Sequence, residues 1–180
     1  MIKLVALLAY NLLRAGWNKL RYGNRWKVHP LQRISPGCRI RLYDRGSIEI
    51  QRNTELERGC DVQVHASGKL VIGSGTYLNR YCIISAHQSV SIGAGCMFGP
   101  GVKIFDNNHR FSKEKGVQSE LSTGTIRVGN RCWIAADAVL LKGASIGDGS
   151  VIGAGCVISG EVPAGSIVRL KQEQVVEPIH

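Results

Sequence analysis

Residues 128–157 read VGNRCW IAADAV LLKGAS IGDGSV IGAGCV, and a branched apolar residue opens every block of six. These residues, with the one that opens the next block, are Val128, Ile134, Leu140, Ile146, Ile152 and Ile158. Self-similarity at a six-residue period is typical of a parallel β-helix, in which each coil has three short flat faces and stacks on the next coil. The stretch therefore predicts a mainly β chain built as such a helix.

The same frame extends upstream with interruptions, so that coils begin near residues 50, 72, 92, 128, 146 and 164. Every step longer than 18 residues has its excess after the third hexapeptide of a coil. Insertions should therefore leave the solenoid at one corner, and the largest is a loop at 105–125. We assign 31–166 to the β-helix, 1–30 to a basic helical arm and 167–180 to a tail.

The six cysteines share one place in the repeat, four residues after an apolar position: Cys38, Cys60, Cys82, Cys96, Cys132 and Cys156. No CxxC or CxH pair of a structural zinc site occurs among them. We expect buried, reduced thiols that pack as small apolar side chains. Reduced thiols favour a cytoplasmic location.

The charge of +10 is concentrated near the N-terminus, because residues 1–33 hold seven Lys or Arg and no acidic residue. Such asymmetry indicates an anionic neighbour: a membrane surface, a phosphate-bearing substrate or nucleic acid. No recognised nucleic-acid-binding motif accompanies these residues, so we expect no nucleic-acid partner.

On a helix, the arm separates an apolar arc from a polar arc that includes Lys3, Asn11, Arg14 and Asn18. The apolar run 4–10 is too short to span a bilayer and no signal-cleavage pattern follows it. Residues 1–25 could instead cap the open end of the solenoid or lie on the inner face of the membrane. We favour the cap.

The Ile-Gly-x-Gly blocks and the segment Trp133-Ile134-Ala135-Ala136 resemble the hexapeptide-repeat acyltransferases over about residues 48–165. The resemblance implies a left-handed parallel β-helix that assembles as a homotrimer, with active sites in the clefts between subunits. It also implies acetyl-CoA as co-substrate. The sugar O-acetyltransferase branch is the most similar, particularly the galactoside and maltose acetyltransferases.

His109 is the candidate general base, within the polar run Phe105-Asp-Asn-Asn-His109-Arg-Phe-Ser112. A sugar hydroxyl is a poor nucleophile until a neutral imidazole takes its proton during attack on a thioester. In the resembling enzymes the catalytic histidine lies in the loop of the coil just before a Gly-Asn-x-x-Trp-Ile stretch, here 129–134. Acetyl transfer to a sugar hydroxyl in polysaccharide biosynthesis is therefore the expected function.

The resemblance places further residues at the expected site. Asn79 would hold the reacting hydroxyl or stabilise the oxyanion, and Asp106, His87 and Trp133 would contact the saccharide. His87 replaces an acidic residue of the relatives, so the acceptor should differ from a simple galactoside or maltose. The residues expected along coenzyme A are Ala136, Ala154, Ser159, Arg169 and Lys171.

Two other classes remain open at this stage. His65, His87 and His109 recur every 22 residues and could meet at one corner, as in a metal-dependent hydratase resembling the γ-class carbonic anhydrases. A non-catalytic β-helix could instead use the basic arm to recruit an anionic partner. We expect no metal, because the segment after the loop resembles the acetyltransferases.

Overall fold

The structure, a computed structural model, describes residues 2–171 and the side chains of 5–171. Helix α1, Ile2–Tyr22, and a short 3-10 turn, Gly23–Arg25, precede 22 strands. In chain order the strands are β1 Trp26–Val28, β2 Arg33–Ile34, β3 Arg39–Leu42, β4 Ser47–Ile50, β5 Glu55–Leu56, β6 Asp61–Val64, β7 Lys69–Ile72, β8 Tyr77–Leu78, β9 Ile83–Ala86, β10 Ser89–Ile92, β11 Met97–Phe98, β12 Lys103–Phe105, β13 Asn107–Ser112, β14 Gly116–Thr123, β15 Thr125–Val128, β16 Trp133–Ile134, β17 Val139–Leu141, β18 Ser145–Ile146, β19 Val151–Ile152, β20 Val157–Ile158, β21 Glu161–Val162 and β22 Ile167–Val168.

Three parallel sheets form the sides of the solenoid. Face A contains β1, β4, β7, β10, β15, β18 and β21; face B contains β2, β5, β8, β11, β16, β19 and β22; face C contains β3, β6, β9, β12, β17 and β20. Consecutive strands of a face belong to consecutive coils, so the predicted parallel β-solenoid with an N-terminal helix is confirmed. Strands β13 and β14 form a separate antiparallel pair.

The repeat positions form the core because alternate residues of a strand point to opposite sides of the sheet. Ile72, Ile134 and Ile152, which open their hexapeptides, are fully buried. Each such side chain contributes about 1.5–3 kcal/mol relative to exposure. In register, Ile134 pairs with Ile152 across β16 and β19, so identical side chains stack from coil to coil.

The corners require small residues where the backbones of neighbouring coils approach closely. A Cβ on Gly93 would lie 2.5 Å from the carbonyl oxygen of Gly129, a distance that real Cβ atoms do not tolerate. The glycine that follows the apolar residue in many hexapeptides therefore sets how closely two coils can stack.

The solenoid is longer at both ends than the range 31–166. It begins at β1, where Trp26 is buried and pairs with Ile48 of β4. It ends at β22, whose Ile167 pairs with Val151 of β19, inside the segment expected to be tail. Residues 172–180 of that tail lie outside the described residues.

Helix α1 covers the first coil through its polar face. Asn11 is buried and its amide nitrogen donates to the carbonyl of Ile34 at 3.1 Å, and Arg14 donates to the carbonyl of Cys38 at 2.9 Å. After the helix, Arg25 donates to the carbonyl of Asp44. Among the described residues, no helix has the length and apolar character needed to cross a membrane.

All six cysteines are free and buried, as their shared repeat position predicts. Each thiol donates towards a carbonyl of the next coil, for example Cys60 to Asn79 at 3.1 Å and Cys96 to Gly129 at 3.0 Å. Burial raises the pKa of Cys96 to about 11. A thiol of this kind is a poor nucleophile at neutral pH.

We therefore expect Ellman's reagent to modify none of the six thiols quickly in the native protein. With a pKa near 11, only about one Cys96 thiol in a thousand is ionised at pH 8. The same sample unfolded in guanidinium is the control and should release six equivalents of chromophore. Rapid native modification of most of the thiols would contradict the buried assignment.

Candidate active site

The largest insertion leaves the solenoid between β12 of face C and β15 of face A. It forms an antiparallel hairpin of β13 and β14, in which His109 pairs with Leu121. The expected loop at 105–125 is thus a regular hairpin for most of its length. A register shift between His109 and Phe111 marks a bulge, and bulges often re-aim side chains near functional sites.

Asp106 anchors the root of this hairpin. Its side chain is fully buried, and its carboxylate accepts the backbone N–H groups of His87, Gln88 and Ser89 at 2.8–2.9 Å. Both oxygens are occupied by this corner of the preceding coil. The structure therefore gives Asp106 a positioning role, which differs from the saccharide contact expected from the sequence.

His109 lies exposed on β13 with one ring nitrogen engaged. Its Nδ1 is 2.9 Å from the carbonyl oxygen of Gln118 on β14. Because a carbonyl can only accept, the neutral ring must carry its proton on Nδ1 in this bond. The lone pair of Nε2 is then free, which is the state that a general base requires.

An open depression of about 460 Å³ surrounds His109. Its lining includes Asn108, Phe111, Gln118 and two cations, Arg110 and Lys142. Lys142 comes from the corner after β17 and donates to the hydroxyl of Ser122 at 2.6 Å. The depression is therefore basic, and it joins the hairpin to the solenoid wall.

Several other expected site residues lie along the corner between faces B and C. Asn79, Ala136, Ala154 and Arg169 follow the face B strands β8, β16, β19 and β22, and the N–H of Gly155 donates to the carbonyl of Ala136. Ser159 lies instead at the corner between faces C and A, beside Gly143. Lys171 is exposed just after the last strand.

The residues of the expected site therefore lie at separate corners of one chain. Face C separates Asn79 from the hairpin that carries His109, so one chain does not bring these two residues together. Asn79 is half-buried, and its Oδ1 accepts the N–H of Arg80 at 2.8 Å. Its Nδ2 is thus left to donate to another group.

Trp133 points outward from face B and is half-exposed. In register it pairs with Met97 of β11 and Val151 of β19, and Met97 pairs with Tyr77 of β8. With Ile167 of β22, these residues form an outward apolar column over five coils. This column offers a surface on which another chain or a ligand could pack.

His87 belongs to an aromatic stack at the corner between faces C and A. Its ring lies on that of His65, which lies on Tyr43, with centroids 4.4 Å apart at both steps. Burial and the charge of nearby His87 lower the pKa of His65, which favours its neutral form. Stacked parallel rings direct their nitrogens along parallel planes, so they do not converge on one ion.

His109 does not join that stack, because the hairpin carries it away from the corner. Within residues 2–171, no cluster of three or more His, Cys, Asp or Glu side chains is arranged to hold a metal ion. The 22-residue spacing of the histidines thus reflects coil stacking at His65 and His87. The described geometry gives no support to the hydratase interpretation.

Sequence reasoning did not identify Gln118 and Lys142 as parts of the candidate site. Gln118 contacts His109 through its backbone carbonyl, and a pattern of side chains in the sequence does not reveal such a contact. The register of the hairpin brings this carbonyl to His109. Lys142 lies 33 residues after His109.

Comparison with known proteins identifies the repeat. Residues 125–160 match the family model described as bacterial transferase hexapeptide (six repeats). Galactoside O-acetyltransferase of Escherichia coli is 33% identical over 75 residues, which are 42% of this chain and 37% of that enzyme. The chain spans less than half the length of the curated relatives it matches.

Solved structures share the fold at low sequence identity. A mutant of AntD, an N-acyltransferase from Bacillus cereus, bound to dTDP-4-amino-4,6-dideoxyglucose and coenzyme A, superposes with a TM-score of 0.69 and 16% identity. The alignment covers 90% of this chain and 89% of AntD. The polySia-specific acetyltransferase NeuO gives a TM-score of 0.60 and 19% identity, covering 78% and 77% of the two chains.

The role of Asp106 can be tested by Asp106→Asn. An amide would turn a donor towards backbone N–H groups that now meet a carboxylate oxygen, leaving buried donors unsatisfied. We expect the free energy of unfolding to fall by about 2–3 kcal/mol, measured by urea denaturation. Asp137→Asn is the matched control: Asp137 is exposed and 3.7 Å from Lys103, so a change under about 0.5 kcal/mol is expected. Equal stability of the two variants would remove the anchoring role.

Proposed function

We propose that this protein is an acetyl-CoA-dependent O-acetyltransferase that acts on a sugar hydroxyl in polysaccharide biosynthesis. The observation that carries the proposal is the His109–Gln118 hydrogen bond, which leaves Nε2 of an exposed histidine free to accept a proton. The hexapeptide repeat and the acyltransferase relatives support this reaction class. The six free, buried cysteines favour a cytoplasmic setting.

In the proposed reaction, Nε2 of His109 takes the proton of the acceptor hydroxyl as its oxygen attacks the thioester carbonyl of acetyl-CoA. The C–O bond forms, and the carbon–sulfur bond then breaks as the tetrahedral intermediate collapses. The coenzyme A thiolate leaves and recovers the proton from the imidazolium. No other reactant is needed, and His109 ends in its starting state.

We propose further that the site is completed by a second copy of the chain within a homotrimer. His109 and Asn79 lie at two different corners of one solenoid, so a neighbouring copy would have to present its Asn79 corner to the hairpin. The free Nδ2 of Asn79 could then donate to the oxyanion. Ala136, Ala154 and Arg169 share that corner and would line the coenzyme A groove.

The acceptor is proposed to be an acidic saccharide. The depression around His109 contains Arg110 and Lys142, and none of the described residues that line it is acidic. His87 also stands where the resembling galactoside enzymes have an acidic residue. Two cations beside the base would attract a carboxylated or phosphorylated sugar.

The direct experiment is an acceptor panel assayed for coenzyme A release from acetyl-CoA. Precursor sugars of capsule, exopolysaccharide and lipopolysaccharide would be compared in matched acidic and neutral forms. Acceptor-dependent release supports the transferase, and a preference for acidic forms supports the acceptor class. No release with any saccharide would leave the non-catalytic binding module as the better interpretation.

With an active acceptor, we expect His109→Ala to lower the turnover rate by roughly 10²- to 10⁴-fold, because the acceptor hydroxyl loses its base. Acetyl-CoA binding, measured by calorimetry, should change little. His29→Ala removes a histidine far from the hairpin and is the matched control. Chelation by EDTA should leave wild-type turnover unchanged. Near-normal turnover of His109→Ala, or loss of wild-type activity on chelation, would refute the assignment.

The shared site predicts complementation between two inactive variants. If His109 and Asn79 come from different subunits of a cyclic trimer, randomly mixed His109→Ala and Asn79→Ala chains should recover about a quarter of wild-type activity. Mixing after folding, without subunit exchange, is the control and should recover none. A site contained in one chain would give no recovery in either case.

A further inference from the structure

Helix α1 turns its apolar side to solvent. Leu13, Trp17 and Leu20, spaced four and three residues apart, are 78%, 68% and 82% exposed. Val5 and Leu12 are also exposed. At 100° per residue these five side chains occupy one side of the helix. We call this side of α1 the outer face; it is a continuous apolar strip.

The opposite, polar side of the helix is hydrogen-bonded to the solenoid. Asn11 and Arg14 hold it against the carbonyls of Ile34 and Cys38, and Arg25 ties the following turn to the carbonyls of Asp44 and Gly46. The helix cannot turn its apolar strip inward without breaking these contacts. The outer face is therefore a fixed surface that needs an external partner.

Charge indicates the kind of partner. Residues 1–43 contain nine Lys or Arg and no acidic residue. Lys19 and Arg21 flank the apolar strip in the last turns of α1, and Lys27 follows on β1; all three are exposed. Trp17 has the apolar body and polar N–H that suit the boundary between lipid headgroups and acyl chains.

We propose that the outer face of α1 docks the protein on an anionic lipid surface. Leu13 and Leu20 enter the acyl boundary, Trp17 lies at its edge, and Lys19 and Arg21 meet anionic headgroups. The helix lies in the plane of the membrane because its polar side remains bound to the first coil. The solenoid then stands with its first coil towards the bilayer.

A second copy of the chain is the less favoured occupant. Two outer faces brought together would place Lys19 and Arg21 of one copy close to the basic residues of the other. With no acidic residue in 1–43, nothing in this region would compensate that repulsion. An anionic lipid surface would bury the apolar strip and pair with the flanking cations at the same time.

Co-sedimentation of the full chain with lipid vesicles tests the proposal. We expect binding to vesicles of phosphatidylglycerol and phosphatidylethanolamine, and weak binding to phosphatidylcholine. Leu13→Asn with Leu20→Asn should weaken binding about tenfold per leucine. Lys19→Gln with Arg21→Gln should weaken binding to the anionic vesicles about fivefold per charge. The matched control, Val117→Asn with Val157→Asn, changes exposed apolar residues elsewhere and should bind normally.

Tryptophan fluorescence provides an independent readout. Trp17 should shift its emission to shorter wavelength on adding anionic vesicles, and Trp17→Phe should lose that shift while still co-sedimenting. Circular dichroism and melting temperature identify any variant that fails to fold. These measurements need no acceptor, so their outcome is separate from that of the acetyl-transfer assay.

Two results would overturn the proposal. One is the absence of wild-type binding to the anionic vesicles. The other is equal binding by the wild type and the leucine double variant. If the wild type fails to bind vesicles and the leucine double variant forms a smaller oligomer in light scattering, the outer face is a contact between copies of the chain.

Discussion

Backbone hydrogen bonding between successive coils is the constraint from which the other features follow. Along the corner between faces B and C, the N–H of Asn79 donates to Phe98, that of Gly99 to Ile134 and that of Ala135 to Ile152, at 2.7–3.0 Å. Each coil is thus the template for the next, and a residue inserted within a strand would shift the later side chains of that strand between core and surface. Extra residues are tolerated where a strand ends, so the hairpin leaves at a corner and functional groups collect there.

This constraint also explains how an exposed hairpin can hold a base in a defined state. The buried Asp106 carboxylate fixes the corner to the backbone of His87, Gln88 and Ser89, and the β13–β14 register then sets His109 against the Gln118 carbonyl. The site is positioned from the rigid coil outward. The proposed two-chain site also follows from the solenoid. Its corners are distributed around its axis, so residues at two different corners of one chain do not come into contact.

Features that depend on the repeat period could be predicted from the sequence. Features that depend on strand register or on side-chain orientation could not. Six-residue recurrence predicted the solenoid, the interior cysteines and the corner at which insertions leave. It did not predict the hairpin, because 107–112 reads NNHRFS and lacks the apolar alternation of a half-buried strand. The family resemblance assigned Asp106 a contact with the acceptor, because a carboxylate close to a histidine in sequence does not reveal that backbone N–H groups occupy both of its oxygens. The tautomer of His109 depends on a carbonyl nine residues away and has no sequence signal.

The orientation of α1 shows why an amphipathic pattern alone could not distinguish cap from membrane helix. The first coil of a solenoid is a sheet edge, and its outward carbonyls, including those of Ile34 and Cys38, have no preceding coil to donate to them. An apolar helix face placed on that edge would bury these carbonyls unsatisfied, at about 1–3 kcal/mol each. A face with Asn11 and Arg14 supplies the donors instead. Once the polar face is used in this way, the apolar face must point outward, so capping the solenoid creates the strip available to a membrane.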